Sequence, residues 1–123
     1  MESKLEQQPL VQELAKNLQR MGIALRCFDT PEAAADYLDS AIDGTTVGFG
    51  GSVTVQELGL YPRLASHNRA FWHWQGNKPQ DAVGAEVYIC SVNGLAATGE
   101  IINIDGTGNR VASSLYGHER LYY

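Results

Sequence analysis

The stretch Glu100-Ile101-Ile102-Asn103-Ile104-Asp105-Gly106-Thr107-Gly108-Asn109-Arg110 constrains the fold of this chain more than any other. Its apolar alternation predicts a strand, its glycines a loop, and the spacing of Val111, Ala112 and Leu115 a helix. Strand, Gly-rich turn and helix, in that order, is how a parallel α/β sheet presents backbone N–H groups to an anion. The segment Thr46-Val47-Gly48-Phe49-Gly50-Gly51-Ser52-Val53-Thr54 repeats the order. If the two strands are parallel neighbours, both loops meet at one edge of the sheet, and that meeting point is the expected site.

A chain of 123 residues suffices for one domain with a real hydrophobic core. With 44% hydrophobic and 19% charged residues, it has a globular rather than a disordered composition. The formal charge of −5 and the scattering of Lys4, Lys16 and Lys78 argue against nucleic acid, which is bound by clustered Lys and Arg. No apolar run approaches the roughly 18 residues of a membrane span, and no basic segment precedes an apolar one at the start. A cytoplasmic location without membrane contact is therefore expected. Cys27 and Cys90 lie in separate apolar runs without Cys-x-x-Cys spacing, which predicts reduced, buried thiols and no iron–sulfur cluster in this chain. His67 and His118 read as surface residues and His73 as half-buried packing between tryptophans; none has metal-ligand spacing, so no metal is expected.

In chain order, the polar residues before Pro9 are expected to fray. Leu10, Val11, Leu14, Leu18 and Met21 then mark an amphipathic helix that Gly22 stops. Ile23 to Phe28 reads as a strand. Thr30-Pro31-Glu32 opens a second helix, which buries Ala34, Tyr37, Leu38, Ala41 and Ile42 and ends at Asp43-Gly44. Thr45 to Phe49 is the next strand. The following helix starts at Thr54 through a Thr54–Glu57 capping box, or at a Ser52 cap, and breaks early at Gly59 to Pro62. Arg69 to Trp74 alternates as a strand, Gln75 to Pro79 is loop, and Ala82 to Gly84 forms at most one helical turn. Glu86 to Val92 is a strand covered on both faces. Asn93-Gly94 and Ala97-Thr98-Gly99 frame a reversal that returns Glu100 to Ile104 as a hairpin partner. A helix to Tyr116, capped by Gly117, follows, and Leu121-Tyr122-Tyr123 begins a last strand. The expected fold is α/β: Rossmann-like, three-layered, with a mostly parallel sheet and one antiparallel hairpin.

Neither loop carries a dinucleotide fingerprint, because Val53 and Val111 stand where Gly-x-Gly-x-x-Gly needs its third glycine. A Gly-Lys-Ser/Thr phosphate loop is absent too. What the glycines offer is a backbone nest at each helix start, with Arg110 as a bidentate partner for carboxylate or phosphate; the alternative is that they only make sharp strand-to-helix turns. Asp105 is either a general base or the acceptor of its own Asx turn. Glu100 is either an acid or nucleophile, or a solvated hairpin residue. Asn109 is a helix cap or a ligand contact.

Val47-Gly48-Phe49-Gly50-Gly51-Ser52, Glu57-Leu58-Gly59-Leu60, Ser91-Val92-Asn93-Gly94 and the run from Gly99 to Ala112 together resemble the LUD-domain family, the lactate utilization proteins, in its single-domain form. The resemblance implies a fold similar to glucosamine-phosphate deaminases, ribose-phosphate isomerases and coenzyme A transferases. It also implies a link to bacterial lactate oxidation beside iron–sulfur partner proteins. It assigns no cofactor and no settled reaction. Carried onto this chain, the family pattern falls on Gly50, Gly51, Ser52, Asn93, Asp105, Gly106, Gly108, Asn109 and Arg110, with Thr107 between them in the second loop. Two departures from the resemblance stand out: Gln75 to Gly84 is shorter than the usual helical insert, and the C-terminal loop, with its lysine, and closing helix that the family pattern implies after Tyr123 are expected to be lacking in this domain. The expected ligand is a small anionic metabolite held between the loops, with Arg110 as the main cation. The alternatives are an isomerase- or transferase-like enzyme using Asp105 or Glu100, or an interaction module. That module would dock through Tyr116 and Leu121-Tyr122-Tyr123 on an iron–sulfur partner or a second copy.

Overall fold

The computed structural model describes residues 3–123, and Met1 and Glu2 lie outside the described part. Its elements run α1 (Pro9–Arg20), α2 (Pro31–Ala41), β1 (Thr46–Phe49), α3 (Val53–Glu57), α4 (Leu60–Ala65), β2 (Arg69–Trp72), α5 (Pro79–Val83), β3 (Val87–Ile89), β4 (Gly94–Leu95), β5 (Ile101–Ile102), α6 (Asn109–Leu115) and β6 (Arg120–Tyr122). Two compact units form: residues up to Ala34 with Val92–Asn103, and Ala35–Ser91 with Ile104–Tyr123.

The second unit is built on a four-stranded parallel sheet in the order β2-β1-β3-β6. Val47 faces Ala70 on one side and Val87 on the other, and Tyr88 faces Leu121. The side-chain period of a strand divides its core in two. Val47, Phe49, Trp72, Val87 and Ile89 pack on one face with Ala35 and Ile42, Val55 of α3, and Leu60 and Leu64 of α4. Tyr88 and Cys90 point the other way, with Ala82 of α5, Phe71 and Leu121. On that face α5 rests directly on the β1 backbone, because a Cβ at Gly48 would lie 2.6 Å from the Ala82 carbonyl oxygen.

In the first unit, α1 ends as expected: Gly22 has φ 78°, and the Gly22 and Ile23 N–H groups donate to the Gln19 and Leu18 carbonyls. Leu10 and Met21 are nevertheless exposed, and of this helix only Leu18 is buried. β4 and β5 form an antiparallel pair that Asn17 Nδ2 tethers, donating to the Ala97 carbonyl at 2.9 Å. A Cβ at Gly99 would lie 2.8 Å from Met21 Cε. Leu5–Gln7 is a 3₁₀ turn rather than a frayed end, with Ser3 Oγ accepting from the Glu6 N–H.

Several sequence expectations are corrected. The antiparallel hairpin is a separate two-stranded sheet and lies outside the parallel one. Glu100–Ile104 supplies only Ile101 and Ile102 to a strand, and the partner is Gly94–Leu95. Ile23–Phe28 is not a strand, since no strand of either sheet pairs with it. Ser52, not Thr54, caps α3. Gly59, at φ 66°, turns the chain into α4, a helix that the Gly59–Pro62 signals concealed. Pro62 is tolerated there because the first-turn N–H groups of a helix have no intrahelical acceptor. β2 stops at Trp72, His73–Gln75 is a 3₁₀ turn, and α5 is a full helix with the Lys78 N–H bonded to the Asp81 carboxylate. α2 buries Ala35 rather than Ala34. Leu121 and Tyr122 are half-buried in the edge strand, whereas Tyr116 is exposed.

Candidate functional site

In the second unit the first Gly-rich loop leaves β1 at the C-terminal end of the sheet. The Gly50 N–H donates to the Ile89 carbonyl at 2.9 Å, which keeps the loop on β3. Glycine lets three side chains close in here: a Cβ would lie 2.9 Å from Tyr88 Oη, 3.0 Å from Cys90 Cβ and 3.1 Å from Arg110 Cγ, so each would have to shift. Gly51 runs beside His73 and Trp74. Ser52 is buried, accepts from the Val55 N–H at 3.1 Å as the α3 cap, and donates to Ser91 Oγ at 2.9 Å.

The second loop is organised by Asp105. One carboxylate oxygen accepts from the Arg110 N–H at 2.7 Å and the Val111 N–H at 3.1 Å, so the side chain caps α6 from outside the helix. Of the two sequence readings, the geometry is that of the turn acceptor. Partial burial pushes its pKa up, but the Val111, Arg110 and Thr107 N–H groups and the Arg110 charge outweigh it and hold it below the ordinary carboxylate value. Gly108, at φ 85°, makes the turn into α6, and its carbonyl accepts from the Ala112 N–H. Asn109 is the first helical residue and accepts from the Thr107 hydroxyl at 2.6 Å. Nothing lies within 4 Å of a Cβ built on Gly106.

Arg110 joins the loops. Its guanidinium donates to the Gly51 carbonyl at 3.0 Å and to the Ile104 carbonyl at 2.6 Å. The loops meet, then, though not by the expected route: β5 is outside the parallel sheet, and one side chain makes the connection. The helix starts differ from expectation too. α3 and α6 are 5 and 7 residues long, and Ser52 and Asp105 already occupy first-turn N–H groups that an anion was expected to use.

Gly50, Gly51, Ser52, Asp105, Gly106, Thr107, Gly108, Asn109 and Arg110 all belong to the second unit, and Asn93 and Glu100 to the first. Asn93 donates its N–H to the Ile102 carbonyl in the hairpin. The exposed Glu100 accepts from the Thr98 hydroxyl, which, with its own backbone N–H, holds its pKa below the ordinary value.

Four neighbours of the first loop were not legible as site residues. Burial pushes the Tyr88 phenol up to about 12 and the Cys90 thiol up to about 11, so both are neutral at neutral pH. His73 and Trp74 flank Gly51. The one available signal is position, since Tyr88 and Cys90 stand where β3 runs out beside the Gly50 turn. His118 stacks on Tyr88 at 4.8 Å and its Nδ1 bonds the Ala85 carbonyl at 2.6 Å. Among the described residues no group of three or more His, Cys, Asp or Glu side chains converges on a metal position, and no helix is long and apolar enough to cross a membrane.

A sequence model of the LUD domain matches residues 11–119 of the 123. The chain belongs to the LUD-domain family. No curated protein and no solved structure matches. Both loops, the Asp105 cap and the Arg110 bridge of this LUD domain fall inside the matched span.

Proposed function

We propose that this LUD domain binds a small anionic metabolite, a carboxylate or phosphate, where the two loops meet, with Arg110 as the cation that neutralises it. The observation supporting the reading is the Arg110 bridge: a charged guanidinium fixed at the C-terminal edge of a parallel sheet, between two glycine loops. Open α/β sheets bind ligands at that edge. The half-buried Ser91 hydroxyl, which accepts from Ser52 and keeps its own O–H to donate, adds a polar group suited to a hydroxy acid. The family's tie to lactate utilization makes a 2-hydroxy acid the first candidate and an iron–sulfur protein the expected partner.

Binding fits the site better than acid–base catalysis. Asp105 is committed to capping α6 and its pKa is lowered, while the Cys90 and Tyr88 pKa values are raised far above neutrality. None of the three is poised as a base or nucleophile near pH 7. Isomerase- or transferase-like chemistry rests on fold analogy alone. An interaction module has one observation in its favour, the adjacent Leu115 and Tyr116 at 79% and 89% exposure. A monomer in sedimentation that takes up no hydrophobic dye would contradict it.

The test is thermal stability against lactate, inorganic phosphate, sugar phosphates and coenzyme A thioesters. A ligand at a hundred times its dissociation constant adds about 2.7 kcal/mol. The expected result is a shift of several degrees from at least one of them that disappears in Arg110→Ala. No shift from any, in a protein that melts cooperatively, refutes the reading.

A further inference from the structure

Three rings of the second unit form a ladder that ends in solvent. Phe49 and Trp72 stack with centroids 5.2 Å apart at 25°, and Trp72 and Trp74 with centroids 5.1 Å apart at 21°. The inner two rings are each 1% exposed, whereas Trp74 is 41% exposed. Trp72 stacks on one face of this ring, and the residue stays two-fifths exposed beyond that contact. Its edge lies on the first loop: a Cβ at Gly51 would be 3.4 Å from Trp74 Cζ2. The His73 and Trp74 rings are T-shaped, with centroids 6.0 Å apart and planes at 69°, and His73 also lies beside Gly51. The Gly51 carbonyl is the group that accepts from Arg110. A single residue therefore separates the exposed tryptophan at the end of the ladder from the guanidinium.

We propose that Trp74 is a stacking platform for the ligand, and that the site takes a planar aromatic or heteroaromatic ring carrying a carboxylate or phosphate. The ring continues the Phe49–Trp72–Trp74 ladder in offset stacking, and the acid group reaches Arg110. The acid half rests on the anion reading given above; the ring half rests on the ladder. Stacking needs only a π-face and leaves the ring's identity open, so the class is set by shape and charge.

The experiment uses the chain's two tryptophans. Trp72 is buried, so acrylamide quenching of the intrinsic fluorescence reports mainly on Trp74. The probes are nicotinate and AMP, which carry a ring with carboxylate or phosphate, and lactate and inorganic phosphate, which carry none. The proposal expects a ring-bearing anion to bind at least about tenfold tighter than its ring-free counterpart and to protect Trp74 from quenching. Trp74→Ala should weaken that binding about 5- to 150-fold and leave the ring-free anions unaffected, while Trp74→Phe keeps most of the gain. Arg110→Ala should weaken both classes. Equal affinity of the two classes, or a cooperatively melting Trp74→Ala that binds like the parent, overturns the platform and leaves the anion reading intact. Ring-dependent binding that ignores Arg110→Ala overturns the anion reading and the acid half of this proposal. Binding by none of the four overturns both.

Discussion

Gly48→Ala tests the placement of α5 on the central strand, which fixes the first loop's exit. The added Cβ would lie 2.6 Å from the Ala82 carbonyl oxygen and 2.9 Å from Ala82 Cβ. Carbon and carbonyl oxygen rest at roughly 3.3 Å or more, so α5 must retreat by about 0.7 Å. Ala82 and Ala85 are 3% and 2% exposed, which leaves the helix no slack toward the sheet. Overpacking of this kind costs about 1–3 kcal/mol. Against it stands the smaller conformational freedom of alanine in the unfolded chain, worth about 0.4–1 kcal/mol. The net expectation is a loss of up to about 2.6 kcal/mol, up to roughly 10 °C in melting temperature for a domain of this size. Gly84→Ala is the control, because nothing lies within 4 Å of its Cβ and its φ is negative. Circular dichroism melts of both variants decide the matter. If Gly48→Ala melts at or above the parent temperature, the close approach of α5 to β1 is wrong.

Three further outcomes follow from particular contacts. His67 bridges Asp39 at 2.7 Å and Asp43 at 2.8 Å, and these two carboxylates raise its pKa, while the His67 hydrogen bond, with Arg63 on the other Asp39 oxygen, lowers that of Asp39. The raised histidine contributes stability in full below its unfolded value of 6.5 and loses it as pH climbs through the folded value, so denaturant midpoints should fall as pH rises above 6.5. His67→Gln should flatten that slope, and an identical slope in the variant would rule out the clamp. Asp105→Ala removes the α6 cap and should lose about 0.5–2 kcal/mol in urea unfolding, with Asp105→Asn losing less; no loss in either would contradict the capping role. Gly106→Ala meets no neighbour and should leave the melting temperature unchanged or slightly raised, yet weaken anion binding if the ligand rests on that loop. Unchanged affinity in a titration would show that the ligand does not touch Gly106.

Local chemistry carried much of the fold. Thr30 and Pro31 start α2 with the Thr30 hydroxyl accepting from the Ala33 N–H, Gly22 closes α1, and the covered run from Glu86 onward holds a central strand. What failed depended on partners distant in sequence. Ile23–Phe28 has the composition of a strand but no strand beside it. The hairpin strand leading to Asp105 has the pattern of a partner for the Glu86–Val92 strand within the main sheet, yet it pairs with Gly94–Leu95 in a sheet of its own. The candidate site was legible as two glycine loops and one arginine, because glycines at two strand-to-helix turns and a cation beside one of them can be read from sequence without knowing the pairing. Which atoms already satisfy one another was not legible. Asp105 and Ser52 look like ligand groups in sequence and act as helix caps in the fold. Trp74 looked like alternating strand packing, and only the stop of β2 at Trp72 brings it out beside Gly51.

The most direct test of the two-loop anion site is a calorimetric titration with lactate and inorganic phosphate of the parent, Arg110→Lys and Arg110→Ala, each first shown to melt cooperatively. Losing a charge-assisted hydrogen bond costs about 1.5–3 kcal/mol, so Arg110→Ala should bind roughly 10- to 150-fold more weakly. Arg110→Lys keeps the charge without the fork and should fall between them. Affinity in Arg110→Ala equal to that of the parent would contradict the account at its centre.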